Sequence, residues 1–227
     1  MEKRLQRINT RIQNAAFKSG RNPSNITIIA VTKSFPPGIW DTALQHHLSI
    51  IGESRIQEAE KKNKKFTNRK KIELHFIGHL QGNKARKAIQ LFDVIQTIDS
   101  LKLAKRINIL SKQIKKTQKI FLQVNTAGDH NKQGFSLDET IVAAKEIANM
   151  MNISLIGIMT IPPNNISEKN LQYIYNKTRA IKDIVQQSIE NQCNNLSMGM
   201  SNDYETAIKE GATHIRLGTA LFGERPE

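Results

Sequence analysis

Lys33 closes the segment IIAVTKSFPP (28–37): four apolar residues and a threonine run up to an amine, and Pro36 and Pro37 follow closely. An amine in that place could be a solvated cap on a strand end, half of an ion pair, or a nucleophile for a carbonyl. Apolar surroundings disfavour the charged form and pull a lysine below its ordinary pKa of about 10.4. A neutral amine facing an aldehyde can form a Schiff base. Taken alone, a strand-end lysine is more often an ion-pair partner, and Glu53, at the end of the next apolar run, is an available mate. A second group of residues lies near the C-terminus. GMSNDYETAI (199–208) passes through Gly199 into a helix start, with Ser201, Asn202 and Asp203 as cap candidates. Backbone N–H groups at such a start, with a hydroxyl beside them, suit a phosphate dianion. RLGTALFG (216–223) adds a second turn, where Gly218 lets the backbone approach a ligand closely. The same glycines could serve only to shape turns, and Ser201 only to cap a helix.

The elements that must position these groups are legible as an alternation. Apolar runs at 26–31, 48–53, 73–78, 94–99, 120–125, 154–159, 195–199 and 214–218 are separated by stretches of helical spacing. In SLKLAKRINILSKQIKK (100–116), Leu101, Leu103, Ala104, Ile107 and Leu110 form one apolar stripe. In SLDETIVAAKEIANMM (136–151), Ser136 and Glu139 have the spacing of a capping box. Eight strand–helix units predict a parallel sheet closed into an α/β fold of the (β/α)8 TIM barrel type, with residues 1–227 as a single domain. The segment 4–20 precedes the first strand and is expected to pack outside the barrel as an extra N-terminal helix. The competing open sheet usually carries a G-x-G-x-x-G turn after its first strand, and none follows Val31.

Chemistry in such a barrel sits at the C-terminal strand ends, and the loops after strands seven and eight are its usual phosphate cradle. The ends deliver Lys33, then Glu53 and Ser54, then His79 and Gln81 with Asn83 beyond, Asp99, Asn125, Met159 and Thr160. The last two strands add Met198, Gly199 and Ser201, and Arg216, Gly218 and Thr219. An amine and a phosphate cradle on one rim favour a ligand that carries both an aldehyde and a phosphate. Pyridoxal 5'-phosphate (PLP) carries both.

Composition narrows the alternatives. The net charge is +14, much of it from KKNKKFTNRKK (61–71) and SKQIKKTQK (111–119). Neither cluster is interleaved with base-stacking aromatics, so both read as solvated helix ends rather than a specific nucleic-acid surface. No run is long and apolar enough for a membrane helix, and the start MEKRLQRINTR lacks the apolar segment of a secretion signal; a cytoplasmic location is expected. Cys193 is the only cysteine and reads as an incidental thiol. His46 and His47 are adjacent, no H-E-x-x-H occurs, and no metal site is expected.

The chain resembles the pyridoxal 5'-phosphate homeostasis proteins (YggS/PROSC family), which look like the barrel domain of bacterial alanine racemase standing alone. The resemblance is carried by AVTKSFP (30–36), GESRIQE (52–58), HFIGHLQGNK (75–84), LQVNTAGDHNKQGF (122–135), GIMTIPP (157–163) and LSMGMSNDYETAIKEGATHIRLGTALFG (196–223). It implies that Lys33 holds PLP as an internal Schiff base. It also implies that Ser201, Gly218 and Thr219 bind the phosphate, that Arg216 faces the pyridine nitrogen, and that Met198 lies beside the ring. Ser54 stands where the family usually has asparagine, and its hydroxyl is the expected cofactor contact there, directly or through water.

A guanidinium has no acceptor, so Arg216 beside a ring nitrogen donates a hydrogen bond without favouring a pyridinium. A carboxylate there would strengthen the cofactor as an electron sink. A racemase also needs a second acid/base opposite the lysine, and the only tyrosines, Tyr173, Tyr175 and Tyr204, fall in helical segments where packing is the expected role. His79 reads as structural. The expectation is therefore a monomer or weak dimer that stores PLP or hands it to apoenzymes, with no catalytic residue. The alternatives are a racemase-like enzyme and a basic-surface RNA-binding protein.

Overall fold

The computed structural model describes residues 1–129, 132–190 and 192–224. His130 and Asn131 of the LQVNTAGDHNKQGF block, Asn191 beside Cys193, and the final RPE lie outside that set. Eight parallel strands form a closed barrel in sequence order: β1 (Thr27–Val31), β2 (Ile50–Glu53), β3 (Glu73–Phe76), β4 (Val94–Ile98), β5 (Gln118–Gln123), β6 (Ile153–Met159), β7 (Asn195–Met200) and β8 (His214–Leu217). β1 and β8 close it, with Ile29 opposite Arg216 and Ala30 opposite Leu217.

Each expected strand is present with its ends moved by a few residues. Helices α2 (Ile39–Gln45), α3 (Ile56–Lys65), α4 (Ala85–Leu91), α5 (Leu101–Gln113), α6 (Leu137–Ala148), α7 (Glu168–Ser188), α8 (Tyr204–Lys209) and α9 (Thr219–Phe222) follow the strands in turn. The extra helix α1 (Glu2–Lys18) turns Ile8, Ile12, Ala15 and Ala16 inward and packs against α8 and α9. That stripe has the i, i+4, i+7, i+8 spacing of a helix with one buried face. α6 begins with the expected capping box: Ser136 Oγ accepts from Glu139 N, and Glu139 Oε2 accepts from Ser136 N. Among the described residues, no helix is long and apolar enough to cross a membrane.

Two apolar regions result. The large one lies between sheet and helices. A small one inside the barrel holds Val94, Phe121 and Met159. Gly157 makes room for it, because a Cβ there would fall 2.5 Å from the Phe121 ring. The lumen also holds polar side chains, and His75, Gln96, Ser197 and Arg216 are all buried.

Nor is the basic run 61–71 wholly a solvated face. Lys62 is 1 % exposed and pairs with Glu53 at 2.6 Å and Glu58 at 2.8 Å. Its place follows from helix period, since Ile56, Ala59 and Lys62 recur every three residues on the buried side of α3. In the second run, Lys116 Nζ donates to the carbonyls of Ile89 and Phe92 and so caps the end of α4.

At the lower end of the lumen, burial is the main cause that lowers the His214 pKa from 6.5 to about 4. Glu73 lies 2.6 Å from His75, and that hydrogen bond is the main cause that lowers its pKa from 4.5 to about 2. Both shifts act in one direction. Between pH 6.5 and about 4 the unfolded chain binds a proton at His214 that the folded chain does not. Between pH 4.5 and about 2 the same holds at Glu73. Urea midpoints should therefore fall as pH is lowered from neutrality through this range, and a His214→Gln variant should show a flatter profile between about pH 6.5 and 4.

Candidate functional site

A cavity of about 770 Å³ opens at the C-terminal ends of the strands. Lys33 stands on its wall near the end of β1, Ser201 and Met200 come from β7 and its loop, and Arg216, Gly218 and Thr219 come from β8 and its loop. Ile161 and residues 163–166 after β6 also line it.

The backbone around Lys33 is held from both sides. Thr32 O accepts from Lys62 Nζ at 2.6 Å, and Thr32 Oγ1 donates to Glu53 Oε1 at 2.6 Å. Ser34, in the left-handed region at φ +67°, donates its N–H to Glu58 Oε1. Trp40 Nε1 is 3.1 Å from Thr32 Oγ1 and 3.2 Å from Glu53 Oε1. One buried ammonium and two carboxylates thus fix the residues on either side of Lys33. Glu53 is committed to Lys62, Thr32 and Trp40 in this arrangement, so the mate that the sequence makes available to Lys33 is taken up by Lys62. Burial is the main influence on Glu53 and raises its pKa, opposed by Lys62.

Arg216 is 5 % exposed and forms part of the cavity floor. Its Nη1 donates to Ser197 Oγ and its Nη2 to Thr160 O, both at 2.9 Å. Burial lowers its pKa, which Tyr175 and Asp203 oppose. Burial likewise raises the pKa of the Tyr175 hydroxyl, with Asp203 adding to the effect.

The two C-terminal loops are joined by Ser201, whose Oγ accepts from Ala220 N at 3.2 Å. Asp203 precedes α8, but its carboxylate reaches back to Met200 N rather than capping the helix. Gly218 places the second loop against β1: a Cβ there would sit 3.4 Å from Val31 O. Gly199 has φ +92°, and a Cβ on it would fall 2.6 Å from Ala207 Cβ. Gly199→Ala should therefore cost about 1–3 kcal/mol through overpacking alone, and backbone strain adds to it. The check is the urea midpoint, read together with phosphate-dependent protection of the Ser201 loop in hydrogen exchange.

Five of the seven expected ligand residues share this cavity: Lys33, Ser201, Arg216, Gly218 and Thr219. Two do not line it. Met198 is fully buried in the outer core, because Ser197 takes the inward side of β7 and strand alternation turns the next residue out. The register shifts between Ser197 and Met200, where Gly199 adopts positive φ, and Met200 meets the cavity in its stead. Ser54 lies beyond β2 with its carbonyl pressed against Gly78, where any Cβ would fall 2.1 Å from Ser54 O. His79 pairs with Asp99 at 3.2 Å, and Asn83 is exposed. Asn125 folds back onto its own loop, with Nδ2 donating to Asp129 O. Cys193 is buried, and that burial pushes its thiol up to about 12. Among the described residues, no group of three or more His, Cys, Asp or Glu side chains could hold a metal ion. Reading the sequence did not single out Lys62, Gln96, Ser197 or Met200; their signals were helix period for Lys62 and inward polar positions in otherwise apolar strands for Gln96 and Ser197.

A closed parallel barrel with an amine and a guanidinium on its C-terminal cavity defines a class, and the profile of the alanine racemase N-terminal domain matches residues 4–226. Alanine racemase of Clostridium difficile 630 shares that fold at 16 % identity and a TM-score of 0.76, over 97 % of this chain and 60 % of its own. The chain belongs to the pyridoxal phosphate homeostasis protein family. It is 33 % identical to the protein of that name from Vibrio alginolyticus over 99 % of this chain and 97 % of the relative. The Escherichia coli K12 protein of the same name is also 33 % identical, over 97 % and 95 %. Among solved structures, PipY of Synechococcus elongatus PCC7942 with PLP bound has a TM-score of 0.83 and 30 % identity, over 94 % of this chain and all of its own.

Proposed function

We propose that the protein binds PLP at this cavity through a Schiff base to Lys33 and acts inside the cell to store the cofactor or pass it on, without turning over a substrate. The observation that carries the reading is the convergence of Lys33, Arg216 and the Ser201–Gly218–Thr219 loops on one cavity. When bound, PLP supplies an aldehyde that a primary amine can capture and a phosphate dianion. The residues present fit both ends. Lys33 would take the aldehyde, Ser201, Gly218 and Thr219 would cradle the phosphate, and Arg216 would face the ring, with Met200 rather than Met198 beside it. Binding of PLP to PipY and the name shared by the relatives support this assignment.

Two features favour holding over turnover. Arg216 offers the ring a donor and no carboxylate, which leaves the cofactor a weak electron sink. Asp203, the carboxylate on the described wall, is already engaged by Met200 N. The test is an absorbance titration of the protein with PLP, borohydride reduction and peptide mapping. A visible band and a label confined to Lys33 are expected; no band, or a label elsewhere, defeats the proposal. Incubation with L-amino acids in deuterated water separates the racemase-like reading. Exchange at Cα that depends on Lys33 would replace storage by catalysis.

A further inference from the structure

Arg216 does not stand alone in the lumen. Ser197 Oγ is 2.9 Å from Arg216 Nη1 and 2.7 Å from Gln96 Oε1. Gln96 Nε2 is 2.7 Å from His75 Nδ1, and His75 Nε2 is 2.6 Å from Glu73 Oε1. Four strands, β8, β7, β4 and β3, thus contribute to one file of polar groups. It runs from the cavity floor to Glu73 at the opposite end of the barrel, where Lys119 also meets that carboxylate at 3.2 Å. Ser197, Gln96 and His75 are each no more than 1 % exposed.

The inventory of donors and acceptors gives this file a direction. A guanidinium only donates, so Ser197 Oγ accepts from Arg216 and its single hydrogen points to Gln96 Oε1. The Gln96 amide nitrogen then faces His75 Nδ1, which must accept, and the imidazole hydrogen is left on Nε2, aimed at Glu73. Every bond donates the same way, from a cation at one end to a carboxylate at the other, and bonds aligned head to tail polarise one another in a low-dielectric interior. Reversing the Gln96 amide would leave the Ser197 hydrogen without its acceptor and would require a hydrogen on His75 Nδ1.

We propose that Ser197 and Gln96 are positioning residues that lock the Arg216 guanidinium in one orientation under the cavity, through a one-way hydrogen-bond file that ends on His75 and Glu73. The consequence for the ligand rests on the reading of the cavity as a PLP site, whereas the locking itself does not. The file gives the ring a fixed donor and so a constant electronic environment.

The test has one arm that needs no ligand. In nitrogen-15 NMR of the wild-type protein, the Arg216 Nη groups should give separate, exchange-protected signals, and His75 should show the neutral tautomer with hydrogen on Nε2. Averaged Nη signals, a hydrogen on Nδ1, or a doubly protonated His75 would overturn the proposal before any variant is made. Ser197→Ala and Gln96→Leu should each strip the Nη1 signal of its exchange protection while Nη2 stays on Thr160 O, and Ser197→Thr, which keeps the hydroxyl, should retain both. Unchanged signals in a folded Gln96→Leu protein would also overturn it.

The second arm adds PLP. Loss of one hydrogen bond to a charged group corresponds to roughly a tenfold weakening, so Ser197→Ala should hold PLP about that much less tightly, with a shifted absorbance band. Borohydride labelling should stay at Lys33. Tight, spectrally unchanged binding by Ser197→Ala would refute the link to the ligand. If wild-type protein binds no PLP while its Arg216 signals are locked, the cavity assignment fails and the file stands.

Discussion

Lys33→Ala protein should show no visible absorbance band on addition of PLP and no borohydride label, and its affinity should fall by roughly a hundredfold, or about 2.7 kcal/mol. The size of the effect follows from how little else on the wall can replace the amine. Arg216 is held by Ser197 and Thr160, and a guanidinium remains charged. Lys62 is buried among Thr32, Glu53 and Glu58, and its ammonium donates to all three. What remains in the variant is the pair of loops joined by Ser201 and Ala220, which would still receive the phosphate. Equilibrium dialysis should therefore find weak, phosphate-competed binding where the wild type shows a trapped adduct. A trapped adduct that persists in Lys33→Ala, mapped to another lysine, would move the site away from the end of β1.

Lys62→Met should be the most destabilising single change in the region, by about 3–5 kcal/mol, the range for removing one partner of a buried pair. Methionine matches the volume of the lysine stem, so the loss reads electrostatics rather than a cavity. The variant leaves the carbonyl of Thr32 without its buried donor and Glu53 without its ammonium, and Glu53 Oε2 already lacks a hydrogen-bond partner. Glu58 is better placed to recover, at 22 % exposure. A double variant Lys62→Met/Glu53→Gln should regain part of the loss, since the uncompensated charge is gone. The effect should also reach the ligand, because Thr32 and Ser34 flank Lys33: a folded Lys62→Met protein should capture PLP more slowly. Urea unfolding measures the first effect and stopped-flow absorbance the second. A drop below about 1 kcal/mol would mean the pair behaves like a surface ion pair.

The barrel was legible because a buried parallel strand writes a short apolar run and an outer helix writes a stripe, and those signals repeat through the chain. Lys33, Ser201, Arg216, Gly218 and Thr219 were legible because the end of a strand in such a barrel is a rim position whatever the details of register. Met198 shows where that logic ends. Counting inward and outward along β7 requires knowing that Gly199 bends the strand, and a positive φ is not written in the letter G alone. Lys62 was hidden by its neighbours, since one lysine in a basic run carries no mark of burial until the phase of α3 is set against β2. Gln96 and Ser197 were hidden for a related reason. A polar residue inside a strand signals that something satisfies it, but not what, until its partners on other strands are known, three strands away for the bond between Ser197 and Gln96.

Lys33 follows β1 and Arg216 lies in β8, strands that meet at the seam where Ile29 lies opposite Arg216. No local piece of chain contains both, and the β1–β8 pairing that brings them to one cavity joins opposite ends of the sequence. The cavity can therefore exist only after the last strand has been added, and a growing or partly unfolded chain would have no site to offer. Conversely, a ligand that binds only the closed form stabilises it by mass action. Cofactor held across the seam would act as a clasp, so that the supply of free cofactor would set how long the barrel itself endures.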